Sequence, residues 1–265
     1  GASRAILAVK AKHKDLIEHI RVAAGEYPKP ELAQLPDIYP VGDEHVLVRE
    51  VVGRQIPPGG IPLDVGVVTL NIETLYNLAQ AMADRPVTTS FITVAGAVER
   101  PMTIRGPIGM MVGDILDFVG PLLKRNKFAV IEGGPVMGGL IDLNEPITKT
   151  TKGLIVLPLG HKLITRLKTI SRVTRRSFSV CSQCTMCTDL CPRHILGHPI
   201  RPHSIMGAFV QRVGQEGVLS GALLCSECGV CDTYACFMGL SPRYVNRELK
   251  RGLLREAKID AVTLP

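Results

Sequence analysis

The chain has 265 residues, 46% of them hydrophobic and 21% charged, which is ordinary for a protein of two or three globular domains. No apolar run reaches the roughly 18 residues that cross a bilayer, and the first residues do not resemble a secretory signal, so we expect a soluble, cytoplasmic protein. Eight cysteines in such a protein should be reduced thiols, which favours metal binding over disulfides.

The net charge of +7 comes from one segment. Between Glu145 and Asp189 there are eight Lys or Arg residues and no acid, and the other 23 basic residues nearly balance the 24 acidic ones. Three interpretations stay open: an ordinary solvated face, compensation of nearby anionic clusters, or a docking surface for an acidic electron-transfer partner. A nucleic-acid interface is disfavoured, because aromatic content is 4%, Trp is absent and no binding motif accompanies the segment.

Residues 5–84 alternate short β-like runs with helical patterns, which predicts an α/β layer with parallel strands. The β-like runs are 5–10, 37–42 and 65–70, and the helical patterns are 13–24, 43–53 and 71–85. The chain has no initiating Met and enters a strand almost at once. We therefore expect it to begin inside a domain.

From residue 87 the hydrophobic period becomes that of β-strands. The pattern predicts two hairpin strands, a short helix and two further strands, typical of a small β-grasp-like module, at 87–98, 102–109, 112–120, 128–134 and 153–160. The tract 133–139, GGPVMGG, lacks the Lys-Ser/Thr of a nucleotide P-loop, so a structural turn is the better interpretation. After residue 160 helices return, the clearest at 242–257 with Ser241 as its N-cap.

The eight cysteines form two sets in the last third of the chain. The first has the spacing C-x2-C-x2-C-x3-C and is followed by Pro192; the second has gaps of two, two and four and is followed by Phe237. Three cysteines at steps of three let one loop bind three corners of a cubane cluster, so the fourth ligand comes from elsewhere. Structural zinc favours two C-x2-C pairs with a longer spacer. The spacing therefore predicts two [4Fe-4S] clusters.

In two-cluster ferredoxins the last cysteine of each run ligates the other cluster, which predicts an exchange of ligands. The two predicted sets are Cys181, Cys184, Cys187 and Cys236, and Cys225, Cys228, Cys231 and Cys191. Three histidines, His194, His198 and His203, follow the first cysteine set. They are interpreted as polar residues satisfied at helix ends, with cluster tuning or ligation as the alternative.

The motifs CSQCTMCTDLCPRHILGH and LLCSECGVCDTYACFMGLSPRYVNRELKR resemble those of an iron-sulfur flavoprotein family. It includes RnfC of the Rnf complex, the flavin-binding component of respiratory complex I and the cobalamin reductases of propanediol-utilising bacteria. YPVGDEHVLV, IPPGGIPLDVGVVTLNIETL and GGPVMGG followed by PITKTTKG extend the resemblance over almost the whole chain. It implies a partial Rossmann-like FMN domain at 1–84, an SLBB β-grasp domain at 85–160 and a helical, ferredoxin-like domain with two [4Fe-4S] clusters at 161–265.

The resemblance also implies an FMN site. The matching segments supply seven candidate contacts: Tyr39, Gly42, Asp43, Glu44, Asn71, Glu73 and Thr74. The family's glycine-rich G-x-G-F-P loop and its still earlier domain have no counterpart in the sequence, so we expect the C-terminal part of a longer protein. On their residues alone, the same segments are typical of ordinary strand-to-helix turns, with Asn71 as an N-cap.

The activity implied by the resemblance is that of an oxidoreductase with no catalytic side chain of its own in this part. NADH would reduce FMN, and two clusters would carry single electrons to a corrinoid, as in a cobalamin reductase of propanediol utilisation. A corrinoid adenosyltransferase or another redox protein is the implied partner, and a bacterial microcompartment is an implied location. The alternative is an Rnf-like electron carrier within a membrane or multi-enzyme redox complex. A redox sensor fits the clusters but not the α/β and β-grasp segments.

Overall fold

The computed structural model describes residues 2–23, 30–122, 127–169, 180–211 and 216–263. The chain divides into two compact units. The first consists of Gly1–Thr69, Gln183–Cys231 and Asn246–Pro265, and the second of Leu70–Ser182 and Asp232–Val245. Within the described ranges, no helix has both the length and the apolar character that a membrane span requires.

The described residues form helices α1–α10 and strands β1–β7. In chain order these are β1 (Ile6–Lys10), α1 (Lys14–Ala23), β2 (Glu31–Leu35), α2 (Glu44–Val52), α3 (Ile72–Ala81), β3 (Thr89–Gly96), β4 (Met102–Pro107), α4 (Val112–Val119), β5 (Phe128–Glu132), β6 (Gly139–Ile141), β7 (Gly153–Pro158), α5 (162–169), α6 (Met186–Asp189), α7 (Pro192–Ile195), α8 (Pro202–Gln211), α9 (Glu216–Leu219) and α10 (Pro242–Thr263). Short 3-10 helices cover Pro62–Val65 and Ser220–Leu224, and a π-helical turn covers Cys231–Ala235.

The first unit begins with a β-α-β segment. β1 and β2 pair in parallel, with Ala8 opposite Ala33, which confirms the predicted parallel arrangement. α2 follows and begins at Asp43, whose carboxylate accepts the backbone N–H of His45. Gly53, in the left-handed conformation, ends the helix.

Two of the three β-like runs predicted in this part of the chain are wrong. Residues 37–42 form a turn that includes the cis peptide bond between Tyr39 and Pro40, and the second strand lies earlier. Pro40 has no N–H to give to a strand ladder. Residues 65–70 leave a 3-10 helix and continue as an irregular segment in which Val68 is exposed. A short apolar run does not by itself distinguish a strand from an extended loop.

The second unit contains a five-stranded mixed sheet in the order β4-β3-β7-β5-β6. β3 pairs with β7 in parallel, while the β3–β4, β5–β7 and β5–β6 pairs are antiparallel. Ile92 and Val94 of β3 are fully buried and pack with Ile115 and Val112 of α4, which follows the first hairpin. The buried residues alternate along β3, so one face of the strand forms the core.

The sequence predicts four of the five strands of this sheet and its helix, and the structure confirms them. β6 was missed because it has three residues, directly after the glycine-rich tract, which is too short for a period to be visible. The helix predicted at 242–257 is α10, and Ser241 precedes it as expected. The backbone N–H of Arg243, however, is capped by the Asp232 carboxylate at 2.7 Å, so the capping side chain comes from a distant part of the sequence.

Candidate iron-sulfur centres

The two C-x2-C-x2-C loops share an unusual backbone conformation. Residues two and four positions after the first cysteine are left-handed in both loops: Gln183 (φ 53°) and Thr185 (φ 66°) in the first, Glu227 (φ 58°) and Gly229 (φ 78°) in the second. Side-chain-bearing residues rarely adopt this conformation, which concentrates at functional sites. Turns of this kind aim successive backbone N–H groups into a concavity that binds anionic groups, iron-sulfur clusters among them.

Cysteine sulfurs of both sets accept hydrogen bonds from backbone N–H groups a few residues further along the chain. The sulfurs and their donors are Cys191 with Arg193 and His194, Cys225 with Glu227 at 3.3 Å, and Cys236 with Leu240 at 3.3 Å. An N–H group favours negative charge on the sulfur that it faces. This donor set fits thiolates that ligate an iron-sulfur cluster.

The last cysteine of each set lies near a cysteine of the other set within the same compact unit. In the first unit the Cys191 thiol interacts electrostatically with those of Cys225 and Cys228. In the second unit Cys236 interacts in the same way with Cys181. Cys184 and Cys187 belong to the first unit, as do all of Cys191, Cys225, Cys228 and Cys231.

Burial raises the pKa of the Cys225 thiol to about 12 and also raises the pKa of Cys191 and Cys236. Such thiols stay protonated at neutral pH until a metal displaces the proton. In the described part of the chain, no three His, Cys, Asp or Glu side chains are arranged to hold one metal ion. A cubane cluster does not require several side chains to meet at one metal ion, because each of its cysteines binds a different iron atom.

The longer final gap of the second set coincides with the π-helical turn. Between Cys187 and Cys191 the chain passes through the α-helical turn of α6, whereas Cys231 begins a π-helical turn that leads to Cys236. A π-turn holds one more residue than an α-turn, so it accommodates the extra residue of this gap.

Asp232 is a buried carboxylate beside the second set that sequence reasoning missed. Its side chain is fully buried and forms a 3.0 Å ion pair with Arg166, one of the eight basic residues of the charged segment. Burial raises the pKa of Asp232, while Arg166 and the N–H of Arg243 lower it. A pair 66 positions apart leaves no local pattern in the sequence. Three other bases of that segment lie outside the described residues: Arg172, Arg175 and Arg176.

The first group of candidate FMN contacts lies in the loop between β2 and α2. This is the carboxyl edge of a parallel strand pair, where α/β folds bind ligands. The Tyr39 hydroxyl donates to the carbonyl of Cys228 at 2.6 Å, and Asp43 forms a 3.1 Å ion pair with Arg193. Gly42 and Glu44 are exposed, and no atom lies within 4 Å of the position that a Cβ on Gly42 would take. These residues fit the edge of a flavin site.

The second group of candidate FMN contacts lies at the start of α3, in the second unit. Asn71 holds the N-cap position, as predicted, although its side chain makes no capping hydrogen bond. Glu73 forms a 2.8 Å ion pair with Lys152, and Thr74 is exposed. Lys152 and the sheet beside it hold the Glu73 carboxylate in place, and the flavin contacts of this group stay a prediction.

The histidines that follow the first cysteine set have different surroundings. His198 is buried, and its Nε2 lies 3.2 Å from Nδ1 of the buried His45. Burial lowers the pKa of His45 to about 4 and that of His198 below its usual value, with the Arg193 cation acting in the same direction. His203 bonds through Nδ1 to the Thr188 hydroxyl at 2.7 Å.

Comparison with known proteins agrees with these features. The Nuo51 FMN-binding domain matches residues 1–80, and the 4Fe-4S dicluster domain matches residues 180–241. Cobalamin reductase PduS of Salmonella typhimurium is 43% identical over 261 residues, which are 96% of this chain and 56% of that protein. Over almost all of its length, the chain is therefore similar to this cobalamin reductase.

Other proteins that the chain resembles belong to ion-translocating complexes. The RnfC-type component of the Na(+)-translocating ferredoxin:NAD(+) oxidoreductase complex of Acetobacterium woodii is 30% identical over 198 residues, 74% of this chain and 42% of that protein. The chain therefore spans about half the length of the curated relatives that it matches. Among solved structures, an NAD+-reducing [NiFe]-hydrogenase is 21% identical to the chain and superposes with a TM-score of 0.55. The match covers 94% of this chain and 48% of the hydrogenase chain, and it shows a likeness of fold alone.

Proposed function

We propose that the chain, within a longer protein, carries electrons from NADH and FMN through two [4Fe-4S] clusters to a corrinoid. The observation that carries this proposal is the pair of cysteine loops with matching left-handed positions and N–H groups aimed at sulfur. The similarity to PduS over 96% of the chain supports the corrinoid as electron acceptor.

The proposed ligand sets are the exchanged ones. One cluster binds Cys181, Cys184, Cys187 and Cys236, and the other binds Cys225, Cys228, Cys231 and Cys191. The interactions of Cys191 with Cys228 and of Cys236 with Cys181 support this exchange. Each cluster then joins cysteines from both halves of the C-terminal segment.

The chemistry divides between the bound groups and the chain. FMN supplies the conversion from a hydride to single electrons, and the clusters take one electron at a time. The chain's own residues hold and tune the clusters: N–H groups at Cys225 and Cys236 offset charge on the sulfurs, and burial keeps water away from Cys191. No side chain is assigned to bond making.

The proposed domains are an FMN domain at 1–84, an SLBB β-grasp domain at 85–160 and the dicluster domain at 161–265. The sheet order, with α4 between two hairpins and β7 returning to the centre, supports the second of these. The position of residues 39–44 at the carboxyl edge of β2 supports a flavin contact there.

The proposed setting is the cytoplasm, within a bacterial microcompartment, with a corrinoid adenosyltransferase or another redox protein as partner. The similarity to a cobalamin reductase supports a partner that handles corrinoids. A second candidate is an electron carrier within a membrane complex, which the 30% identity to the Acetobacterium woodii protein favours.

The test uses the full-length protein, reconstituted with FMN, iron and sulfide. We expect it to accelerate NADH-dependent formation of reduced cobalamin, and the Cys228→Ser variant to lose this acceleration. No acceleration by the loaded wild-type protein would refute the cobalamin reductase. Stable co-purification with membrane proteins would favour the second candidate instead.

A further inference from the structure

We propose that the cluster held by Cys191, Cys225, Cys228 and Cys231 is the flavin-side cluster, the one next to the flavin site, and that Tyr39 positions it there. The other cluster is then the outlet cluster. This order rests on the proposed function and adds to it the direction in which electrons pass through the two cysteine sets.

The first observation is the contact of Tyr39 with Cys228. The two residues are 189 positions apart, and the Tyr39 hydroxyl donates to the Cys228 carbonyl at 2.6 Å. Tyr39 is a candidate flavin contact, and Cys228 is the central cysteine of the second loop. Tyr39 is also 42% exposed, so one aromatic residue touches the cluster loop and still reaches the surface of the candidate flavin edge.

The second observation is the ion pair of Asp43 with Arg193. The backbone N–H of Arg193 bonds to the Cys191 sulfur, while its guanidinium pairs with Asp43 at 3.1 Å. Both side chains are largely buried, with 11% and 10% exposure. A shielded, hydrogen-bonded pair holds its geometry better than an exposed one, because breaking it leaves a buried charge without a partner. Arg193 thus connects a cluster ligand to the loop that carries the flavin contacts.

Two further contacts fasten α2 and the loop after it to the residues that follow Cys191. His45, in the first turn of α2, packs against His198 in a buried pair. The Gln55 amide donates to the carbonyl of Leu196. Residues 39–55 therefore contact the segments that carry this cysteine set at four places, once at Cys228 and three times at residues 193–198. All four contacts lie within the first compact unit.

The order follows from this attachment. Electron tunnelling slows steeply with distance, so the cluster fixed beside the flavin edge receives the electron first. The set that contains Cys181 and Cys236 then delivers electrons to the acceptor.

The experiment follows cluster reduction in the full-length holoprotein by rapid-freeze EPR. In the wild type, NADH should reduce both clusters. In Cys228→Ser, which removes the flavin-side cluster, the remaining cluster should still respond to dithionite but lose its reduction by NADH. In Cys184→Ser, which removes the outlet cluster, the flavin-side cluster should still be reduced by NADH at the wild-type rate.

The outcomes separate this inference from the proposed function. NADH reduction retained in Cys228→Ser and lost in Cys184→Ser would overturn the order alone. Clusters that respond to dithionite but not to NADH in the loaded wild type would overturn the proposed function, and the order with it.

A milder variant tests Tyr39 if the cysteine variants do not fold. Tyr39→Phe keeps the ring and removes the hydrogen bond to Cys228. We expect NADH-driven reduction of the clusters to slow by roughly tenfold, the scale of one hydrogen bond, with iron content and dithionite reduction unchanged. Tyr234→Phe, at an exposed ring, is the matched control and should retain the wild-type rate. A wild-type rate in Tyr39→Phe would overturn the positioning role of Tyr39.

Discussion

His45 is a buried imidazole with a pKa lowered to about 4, and it faces Arg193, His198 and Asp43. Above about pH 6.5 the ring is neutral in both folded and unfolded chains. As the pH falls from there towards 4, the unfolded chain gains a proton that the folded chain does not, so stability is lost across this window. We expect the free energy of unfolding to drop by about 1–3 kcal/mol, measured by urea titration at several pH values.

The control for this prediction is the exposed His19. His45→Gln should flatten the dependence of the unfolding free energy on pH, whereas His19→Gln should leave it unchanged. Equal slopes in the wild type and His45→Gln would show that another group titrates.

Gly138 lies where a side chain does not fit. A Cβ at this position would overlap the carbonyl oxygens of Glu132 and Gly134, while a Cβ on the adjacent Gly139 would meet no atom within 4 Å. We expect Gly138→Ala to lower the free energy of unfolding by about 1–3 kcal/mol and Gly139→Ala to change it by under about 0.5 kcal/mol. Thermal unfolding of the two variants measures this. Similar melting temperatures would contradict the interpretation of GGPVMGG as a structural turn.

At the scale of single residues, the sequence reveals functional residues that lie close together in the chain. It does not reveal contacts between residues that are far apart in the chain. The cysteines could be found because three ligands of one cluster fall within seven residues. The contact of Tyr39 with Cys228 and the pair of Asp232 with Arg166 join residues far apart in the chain. No periodicity or spacing rule reaches over such separations.

The cysteine loops depend on their left-handed positions. Gly229 has φ 78°, which a β-branched residue strongly disfavours, and its counterpart Thr185 already carries this strain at φ 66°. We expect Gly229→Val to strain the second loop by about 1–2 kcal/mol, so that iron falls below eight atoms per chain, and Thr185→Gly to retain both clusters. Iron analysis and EPR measure the result. Full iron content in Gly229→Val would show that the loop tolerates another conformation.

At the level of elements, prediction was successful where a period ran over several residues. β3 and α4 show the alternating and helical patterns that bury one face, and both were found. The strands predicted at 37–42 and 65–70 were wrong, although both segments are apolar. Pro40 cannot donate to a strand ladder, and no described strand pairs with residues 65–70. The π-helical turn at Cys231–Ala235 has no sequence period of its own and was visible only as one extra residue between two cysteines.

Over the whole molecule, the structure groups segments that are distant in the chain. The N-terminal 69 residues form one compact unit with most of the cysteine segment, and the five-stranded sheet forms the other with residues 232–245. The family resemblance implies three consecutive domains with boundaries near residues 84 and 160, and the hydrophobic period changes close to both positions. The grouping of segments into compact units cannot be inferred from such changes. It depends on contacts between residues that are far apart in the chain, such as the ion pair of Arg193 with Asp43.

The central claim is that the chain holds two [4Fe-4S] clusters. Its most direct test is the content of iron, acid-labile sulfide and zinc in protein purified without oxygen, with EPR after reduction by dithionite. We expect about eight iron and about eight sulfide per chain and the signals of two interacting reduced clusters. Two zinc ions per chain with no labile sulfide would contradict the claim.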